Sequence, residues 1–365
     1  MSILIFLAIT PLFFASQINC YSSPIAVIPV NTRTQTKTGI SLTKPFMRVW
    51  QNNMTPMKIV KSKKYLILEN ENNLFSINAL NGSILWKSFY GNISIMYPSK
   101  NEDFLFCSTS NLISNNKIQY TLTAINFSTG VTGWSQIFSK KIIGLNDSIT
   151  YLSVLLEDGS YKEINKTDGS VLLSRKLSIS SGDKVTFLEN LIISNNDKEL
   201  TAFNIYLNIP VWTEKTGFTT NIYLQDDKRL FYQTNNRTIK VVNANNGKAI
   251  WEKDFRVAIQ RMIPLQEGLI ILTNENSLIF VDNRGKQKWK RIIDDKTSTN
   301  YLVKDYFILL FPNGSNTGLV IDIRNGQIKN KIQLNEDHYL INPPIIVGNN
   351  LILPTIKGLI ALTSY

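Results

Sequence analysis

The chain contains too few of the residues on which most enzyme sites depend. Histidine occurs once, at His338, and cysteine twice, at Cys20 and Cys107. A histidine-based metal site or acid–base pair is therefore nearly excluded, and two cysteines cannot form a disulfide framework. The glycines are spread along the chain instead of forming a phosphate-binding loop. We expect a non-catalytic protein without a cofactor or metal site, and we expect His338 on a surface loop.

Acidic residues are missing from the first 68 positions, although the whole chain has 27 of them against 39 basic residues and a net charge of +12. This region opens with an apolar stretch from Ile3 to Ala15, which is too short to span a bilayer and is interrupted by Pro11. Such a stretch is typical of a secretory signal, and we assign residues 1–20 to a signal peptide. Cys20 stands where a bacterial lipoprotein signal would be cut, so we predict lipidation there. Ordinary cleavage shortly after Cys20 stays open.

Residues 21–44 are rich in Ser, Thr, Pro and Lys, which predicts a flexible basic tether. A basic segment beside a membrane would be attracted to anionic lipid headgroups, while a solvated linker explains the composition equally well. Nucleic acid is not an expected partner, because the basic residues are scattered and form no binding motif.

One internal repeat contains all six tryptophans in a single position. In most repeats a turn glycine stands four residues before the tryptophan position, and successive glycine positions lie 38 to 48 residues apart. A period near 40 in a strand-rich chain is typical of a β-propeller. Leu173 and Asn330 replace tryptophan in two repeats, and Asn208 replaces glycine in one. The repeat residues are Trp50, Trp86, Trp134, Trp212, Trp251, Trp289, Gly82, Gly130, Gly169, Gly247, Gly285 and Gly326.

Each repeat also has an Asn or Asp before its glycine, with an apolar run upstream. Asn and Asp bond to their own backbone in turns, and glycine accepts a positive φ, so the unit is predicted to be strand, turn, strand. The tryptophan on the second strand is expected to pack between neighbouring blades.

Two half-repeats at the chain ends complete the count. Pro45–Trp50 has the pattern of a second strand without a first, and Lys357–Thr363 has that of a first strand without a second. We therefore predict an all-β fold over residues 45–365, an eight-bladed β-propeller closed by N- and C-terminal strands that pair in one blade. The longest interval between glycines predicts an additional hairpin or loop near residues 108–117.

The segments Ile77–Trp86 and Val242–Trp251 resemble the repeat of pyrroloquinoline-quinone-type propellers. Quinone-dependent dehydrogenases of this superfamily carry adjacent cysteines, which this chain lacks. The chain is more similar to the BamB-type lipoproteins of outer-membrane protein assembly, in its length, its signal ending near a cysteine, its polar tether and its blade number.

The resemblance implies a scaffold at the periplasmic face of the bacterial outer membrane. Such a scaffold would bind the periplasmic domains of BamA and assist the insertion of unfolded outer-membrane protein clients. The family's contact segments correspond here to residues 180–183 and 218–220, which gives Gly182, Asp183, Thr219 and Thr220 as candidate partner-binding residues. The first segment lacks the family's Arg and the second lacks its Asp.

Two further hypotheses follow from a propeller fold. The alternative function is a periplasmic enzyme or small-molecule binder that uses the central channel. Within the scaffold role, an unfolded client could add a strand to the edge of a blade.

Overall fold

The computed structural model describes residues 40–62, 64–113, 117–180, 182–196, 198–216, 222–225, 228–293 and 300–364. Within these ranges the chain forms 32 β-strands and no helix. Accordingly, no helix in the described part of the chain could cross a membrane.

The strands form eight four-stranded sheets, which are the blades of a propeller. The chain begins with β1 (Phe46–Asn52), which belongs to the closing blade. Blade 1 contains β2 (Lys58–Lys61), β3 (Tyr65–Asn70), β4 (Asn73–Asn78) and β5 (Ile84–Phe89). Blade 2 contains β6 (Asn92–Pro98), β7 (Phe104–Ile113), β8 (Lys117–Asn126) and β9 (Thr132–Phe138). Blade 3 contains β10 (Ile142–Asp147), β11 (Tyr151–Leu156), β12 (Ser160–Asn165) and β13 (Val171–Lys176). Blade 4 contains β14 (Lys184–Leu188), β15 (Leu191–Asn195), β16 (Glu199–Asn204) and β17 (Ile209–Lys215).

The second half of the ring repeats this order. Blade 5 contains β18 (Ile222–Leu224), β19 (Arg229–Gln233), β20 (Thr238–Asn243) and β21 (Ala249–Asp254). Blade 6 contains β22 (Ile259–Leu265), β23 (Gly268–Thr273), β24 (Ser277–Asp282) and β25 (Gln287–Ile292). Blade 7 contains β26 (Asn300–Lys304), β27 (Phe307–Phe311), β28 (Thr317–Asp322) and β29 (Ile328–Gln333). The chain ends with β30 (Ile345–Val347), β31 (Asn350–Thr355) and β32 (Gly358–Ser364) in the closing blade.

Every blade is antiparallel, and in blades 1 to 7 the strands lie side by side in chain order. The first strands of neighbouring blades contact each other, as β2 contacts β6 and β10 contacts β14. The first strands therefore surround the central channel, and the fourth strands form the outer rim. The second and third strands are buried almost throughout, whereas the fourth strands alternate between exposed and covered positions.

The ring closes in the way that the sequence predicts. β1 pairs with β32, from Phe46 opposite Ser364 to Asn52 opposite Leu359, and the sheet order is β1-β32-β31-β30. The N-terminal strand is thus the outer strand of a blade whose other three strands come from the C-terminus. The eight-bladed prediction is confirmed.

The described part of the chain begins at Ile40, within the predicted tether. Ile40 and Leu42 are buried in the apolar layer between blade 7 and the closing blade. The N–H of Ser41 donates to Ser364 Oγ (2.8 Å), and Lys304 Nζ donates to the carbonyl of Ile40. Residues 40–44 therefore pack against the propeller, while residues 1–39 lie outside the described ranges.

The predicted Asx turns join the third and fourth strands. In blade 1 the Asn78 side chain accepts the N–H of Leu80, and the Asn78 carbonyl accepts the N–H of Gly82 (both 2.9 Å). Gly82 has a φ of +75°, which an L-residue adopts only at a steric cost. The core consists of apolar layers between neighbouring blades, one at each of the eight junctions.

The turn glycine of each blade is covered by the tryptophan of the preceding blade. A Cβ atom added to Gly82 would lie 2.6 Å from the Trp50 ring, and one added to Gly130 would lie 2.6 Å from Trp86. The same contact recurs at 2.8–2.9 Å around the ring, in the pairs Trp134–Gly169, Trp212–Gly247, Trp251–Gly285 and Trp289–Gly326. Glycine is therefore required twice over, for its positive φ and for the space that the indole occupies.

The indole N–H also bonds across the junction. Five tryptophans donate to the backbone carbonyl that follows the Asx residue of the next blade, at 2.6–3.1 Å: Trp50 to Ala79, Trp86 to Phe127, Trp134 to Lys166, Trp212 to Ala244 and Trp289 to Ile323. Trp251 Nε1 has no such partner among the described residues. Its neighbouring turn is one residue shorter, because Asp282 precedes Gly285 by three positions instead of four.

The junction between blades 3 and 4 departs from the pattern on both sides at once. Leu173 takes the tryptophan position, and Asn208, with a φ of +53°, takes the glycine position. Asn208 Nδ2 donates to the Lys176 carbonyl (3.1 Å), and Arg175 donates to the carbonyl of Ile205 (3.3 Å). A side chain is tolerated at position 208 because no indole lies against it.

We expect Gly130→Ala to destabilise the protein by about 2–4 kcal/mol, because the added methyl group meets Trp86 as well as the unfavourable φ of +71°. Gly314→Ala is the matched control. Gly314 has a φ of +72° with open space around its Cβ position, so its cost should be only about 1 kcal/mol. Urea unfolding measures both free energies, and equal costs would show that the indole does not restrict position 130.

Candidate partner-binding face

The two flat faces of the ring differ in their connections. The Asx face carries the turns between first and second strands and between third and fourth strands. The connection face carries the turns between second and third strands and the links from one blade to the next. Interblade links are irregular in length, so this face has the more variable surface.

Two of the predicted partner-binding residues lie on the connection face. Gly182 and Asp183 end the link from β13 to β14, whose path is anchored by the buried Leu177 and Ile179. Gly182 is exposed, has a φ of +95° and has open space around its Cβ position. The Asp183 carboxylate accepts bonds from Ser194 Oγ and from the Ser180 N–H (3.4 Å). This turn is therefore held against blade 4 and presents its backbone to the solvent.

The other predicted residues cannot be placed. Thr219 and Thr220, and the predicted lipidation site Cys20, lie outside the described residues.

Sequence reasoning missed an apolar projection on the same face. β7 and β8 pair as a long hairpin from Phe104–Asn126 to Ile113–Lys117, beyond the ends of their neighbours β6 and β9. Its outer part carries exposed Leu112, Ile113 and Ile118, and Leu112 is 70% exposed. The long glycine interval predicted a hairpin or loop here, but the aliphatic residues on its outer part give no distinct signal in a chain rich in isoleucine.

The central channel is lined in part by cations that already bond to its wall. Lys58 Nζ donates to the Ser94 carbonyl in β6, and Lys61 Nζ donates to the Ile346 carbonyl in β30 (both 3.3 Å). Burial lowers the pKa of Lys61, and the charge of Glu102 partly opposes this. These lysines connect neighbouring first strands. In the described ranges no group of three or more His, Cys, Asp or Glu residues could hold a metal ion.

His338 is buried, contrary to the expectation of a surface position. It is 8% exposed and lies in the link between blade 7 and the closing blade. Its Nδ1 lies 3.3 Å from Asp337 Oδ1, and its Nε2 has no hydrogen-bond partner among the described residues. The apolar residues Leu334 and Leu340 of this link enter the core, which brings the histidine inward with them.

Comparisons with known proteins agree with this architecture. A family model described as "Outer membrane protein assembly factor BamB" matches residues 196–353. The crystal structure of BamB from Moraxella catarrhalis is 13% identical with a TM-score of 0.64, covering 88% of this chain and 100% of that one. Sqt1 from Saccharomyces cerevisiae is 13% identical with a TM-score of 0.60, covering 90% of this chain and 99% of that one.

A computationally designed protein, Ika8, is also similar, at 12% identity and a TM-score of 0.66, covering 87% of this chain and 98% of that one. Identities this low show the fold alone. A comparison with curated protein sequences found no significant match.

The repeat and the closed ring define the class as an eight-bladed β-propeller of PQQ-like repeats. The BamB family model matches residues 196–353, from the third strand of blade 4 into the closing blade, and the fold of the whole ring is similar to that of the solved BamB structure. The predicted resemblance is thereby confirmed at the level of the fold and the repeat.

The remaining cysteine of the propeller, Cys107, is expected to be inert in the native state. It is fully buried, and burial raises the pKa of its thiol to about 12. A thiol-specific reagent at pH 8 should therefore react with Cys107 only after urea unfolding, where the pKa falls to about 8.5. Ser135→Cys, at an exposed position of blade 2, is the reactive control. Rapid modification of Cys107 in the folded protein would contradict the packing described here.

Proposed function

We propose that this protein is a non-catalytic scaffold subunit of the machinery that assembles β-barrel proteins in the outer membrane. In this role it binds the periplasmic domains of BamA and assists the insertion of unfolded outer-membrane proteins. The observation that carries the proposal is the match to BamB, whose solved structure is covered along its whole length by this chain.

Two features of the molecule support a binding role. The connection face offers an exposed backbone turn at Gly182–Asp183 and the apolar outer part of a hairpin at Leu112, both suited to contact with another protein. The rigid ring holds these elements in fixed positions, which lowers the entropy lost when a partner binds.

The proposed location is the periplasmic face of the outer membrane, with Cys20 acylated and residues 21–39 acting as the tether. The buried Cys107 makes this testable with a thiol count. In protein purified from its own membranes, a rapidly reacting thiol would be Cys20. A count of zero in the native state and one after unfolding, together with an intact mass that includes acyl chains on Cys20, supports acylation; the same count without that added mass would mean that Cys20 has been removed by cleavage.

The proposed contact is tested by charge reversal at Asp183. Immobilised BamA periplasmic domains should capture the wild-type protein, and Asp183→Lys should weaken capture about tenfold by changing the sign of charge in the contact turn. Glu267→Lys is the control, because Glu267 is an exposed acidic residue on the Asx face. It should leave capture unchanged.

Equal capture of both variants would move the contact away from the Gly182–Asp183 turn. Failure of the wild-type protein to bind BamA would contradict the scaffold role itself. In that case the channel would be the next site to examine for a small-molecule ligand.

A further inference from the structure

The outer rim of the ring carries a positive charge on nearly every blade. A Lys or Arg occurs on the fourth strand of seven blades: Arg48 on β1, Lys87 on β5, Arg175 on β13, Lys215 on β17, Lys253 on β21, Lys288 on β25 and Lys329 on β29. β17 also contains Pro210. Charged side chains and proline on an edge strand oppose the addition of a further strand.

Some basic residues of the fourth strands also join the blades. Lys253 Nζ donates to the Gly285 carbonyl (3.1 Å), and Arg291 donates to the Gly326 carbonyl (2.8 Å). Both occupy the position two residues after the junction tryptophan. In blade 2 the same bond is made by a neutral residue, since Gln136 Nε2 donates to the Gly169 carbonyl (2.6 Å).

β9 is the exception on the rim. Its sequence from Thr132 to Phe138 contains neither a charged residue nor proline. The buried Trp134 and Phe138 anchor it, while Ser135 and Ile137 are exposed, and Ile137 is 65% exposed. The strand lies at the edge of a four-stranded sheet, so one row of its backbone N–H and C=O groups faces outward.

We infer that the edge of β9 is a strand-addition site for an extended segment of an unfolded polypeptide. The molecule itself contains such an addition, because β1 completes a blade whose other strands are more than 290 residues away in sequence. The added strand would bond to the β9 backbone, and its alternate side chains would contact Ile137. The inference rests on the proposed function only in taking the segment to come from an unfolded outer-membrane protein.

Charge defines the orientation of this segment. The C-terminal end of β9 lies next to exposed Lys140 and Lys141, and exposed Lys117 stands on the hairpin that extends past it. Glu157 is the nearby carboxylate, which accepts the backbone N–H of Lys141 (3.4 Å). Every strand pair described in the ring is antiparallel, so an antiparallel addition would bring its N-terminal residues to these lysines. The segment is therefore a strand of alternating apolar residues without charge, preceded by acidic residues at its N-terminal end.

The test uses a fluorescent synthetic peptide of about ten residues, a typical strand length, with two Asp residues before alternating Val and Thr. Fluorescence anisotropy should show saturable binding to the wild-type protein. Ile137→Lys should weaken it about tenfold, because a charged side chain would be desolvated beneath the added strand. The matched control is Ile292→Lys, since Ile292 is 70% exposed and occupies the same register position on the cationic strand β25. The control should bind the peptide like the wild type, and thermal unfolding checks that both variants fold.

A peptide with its two Asp residues at the C-terminal end tests the orientation. It should bind more weakly at low salt, and the difference should shrink as salt screens the lysines. Absence of peptide binding, or equal binding by Ile137→Lys, would overturn the inference. Self-association of the wild type that Ile137→Lys abolishes would assign the edge to a second copy of the chain and would also overturn it. Because BamA is absent from this experiment, its failure is separate from failure of the proposed contact with BamA.

Discussion

The fold depends on one recurring contact, in which the tryptophan of one blade lies on the turn glycine of the next. The contact joins three requirements in a single place. The Asx turn needs a residue with a positive φ, the indole needs a surface without a side chain, and the indole N–H needs a carbonyl from the same turn. Glycine satisfies the first two requirements, and the turn backbone supplies the third. The contact occurs at six of the eight junctions, and because it always joins the tryptophan of one blade to the glycine of the next, it orders the blades around the ring.

At the junction between blade 7 and the closing blade, a different contact takes the place of the tryptophan and glycine. The closing blade has no turn between its third and fourth strands, because these are β32 and the N-terminal strand β1. Residues 40–44 take the place of that turn. Asn330, at the tryptophan position of blade 7, donates to the carbonyls of Leu42 (3.2 Å) and Lys44 (2.9 Å). Residues 40–44 are thus part of the ring, which leaves residues 21–39 for the predicted tether.

The architecture could be predicted because the repeat is visible in short stretches of sequence. The Asx residue, the glycine, the tryptophan and the two half-repeats are recognised from their spacing alone, without information on distant contacts. The partners of those residues are not local. Trp86 belongs to the same repeat as Gly82 but packs on Gly130, and only the ring geometry reveals this offset. Burial of Ile40 and His338 was missed for a similar reason, since both follow neighbouring apolar residues into a junction. The candidate contact at Gly182 and Asp183 came from resemblance, and the structure adds its exposed backbone. The uncharged edge of β9 became visible only once the outer strands were known.

The most direct test of this account is a double-mutant cycle at the junction of blades 3 and 4. Leu173→Trp alone should destabilise the protein by about 2 kcal/mol, because the indole would meet the Asn208 side chain. Asn208→Gly alone loses the bond to the Lys176 carbonyl and should cost about 1 kcal/mol. Combined in one chain, the two substitutions recreate the contact of the other junctions, so the double variant should approach wild-type stability, with a favourable coupling of about 2 kcal/mol. Free energies that add within about 0.5 kcal/mol would show that the two positions are independent, and would contradict the contact as the element that orders the ring.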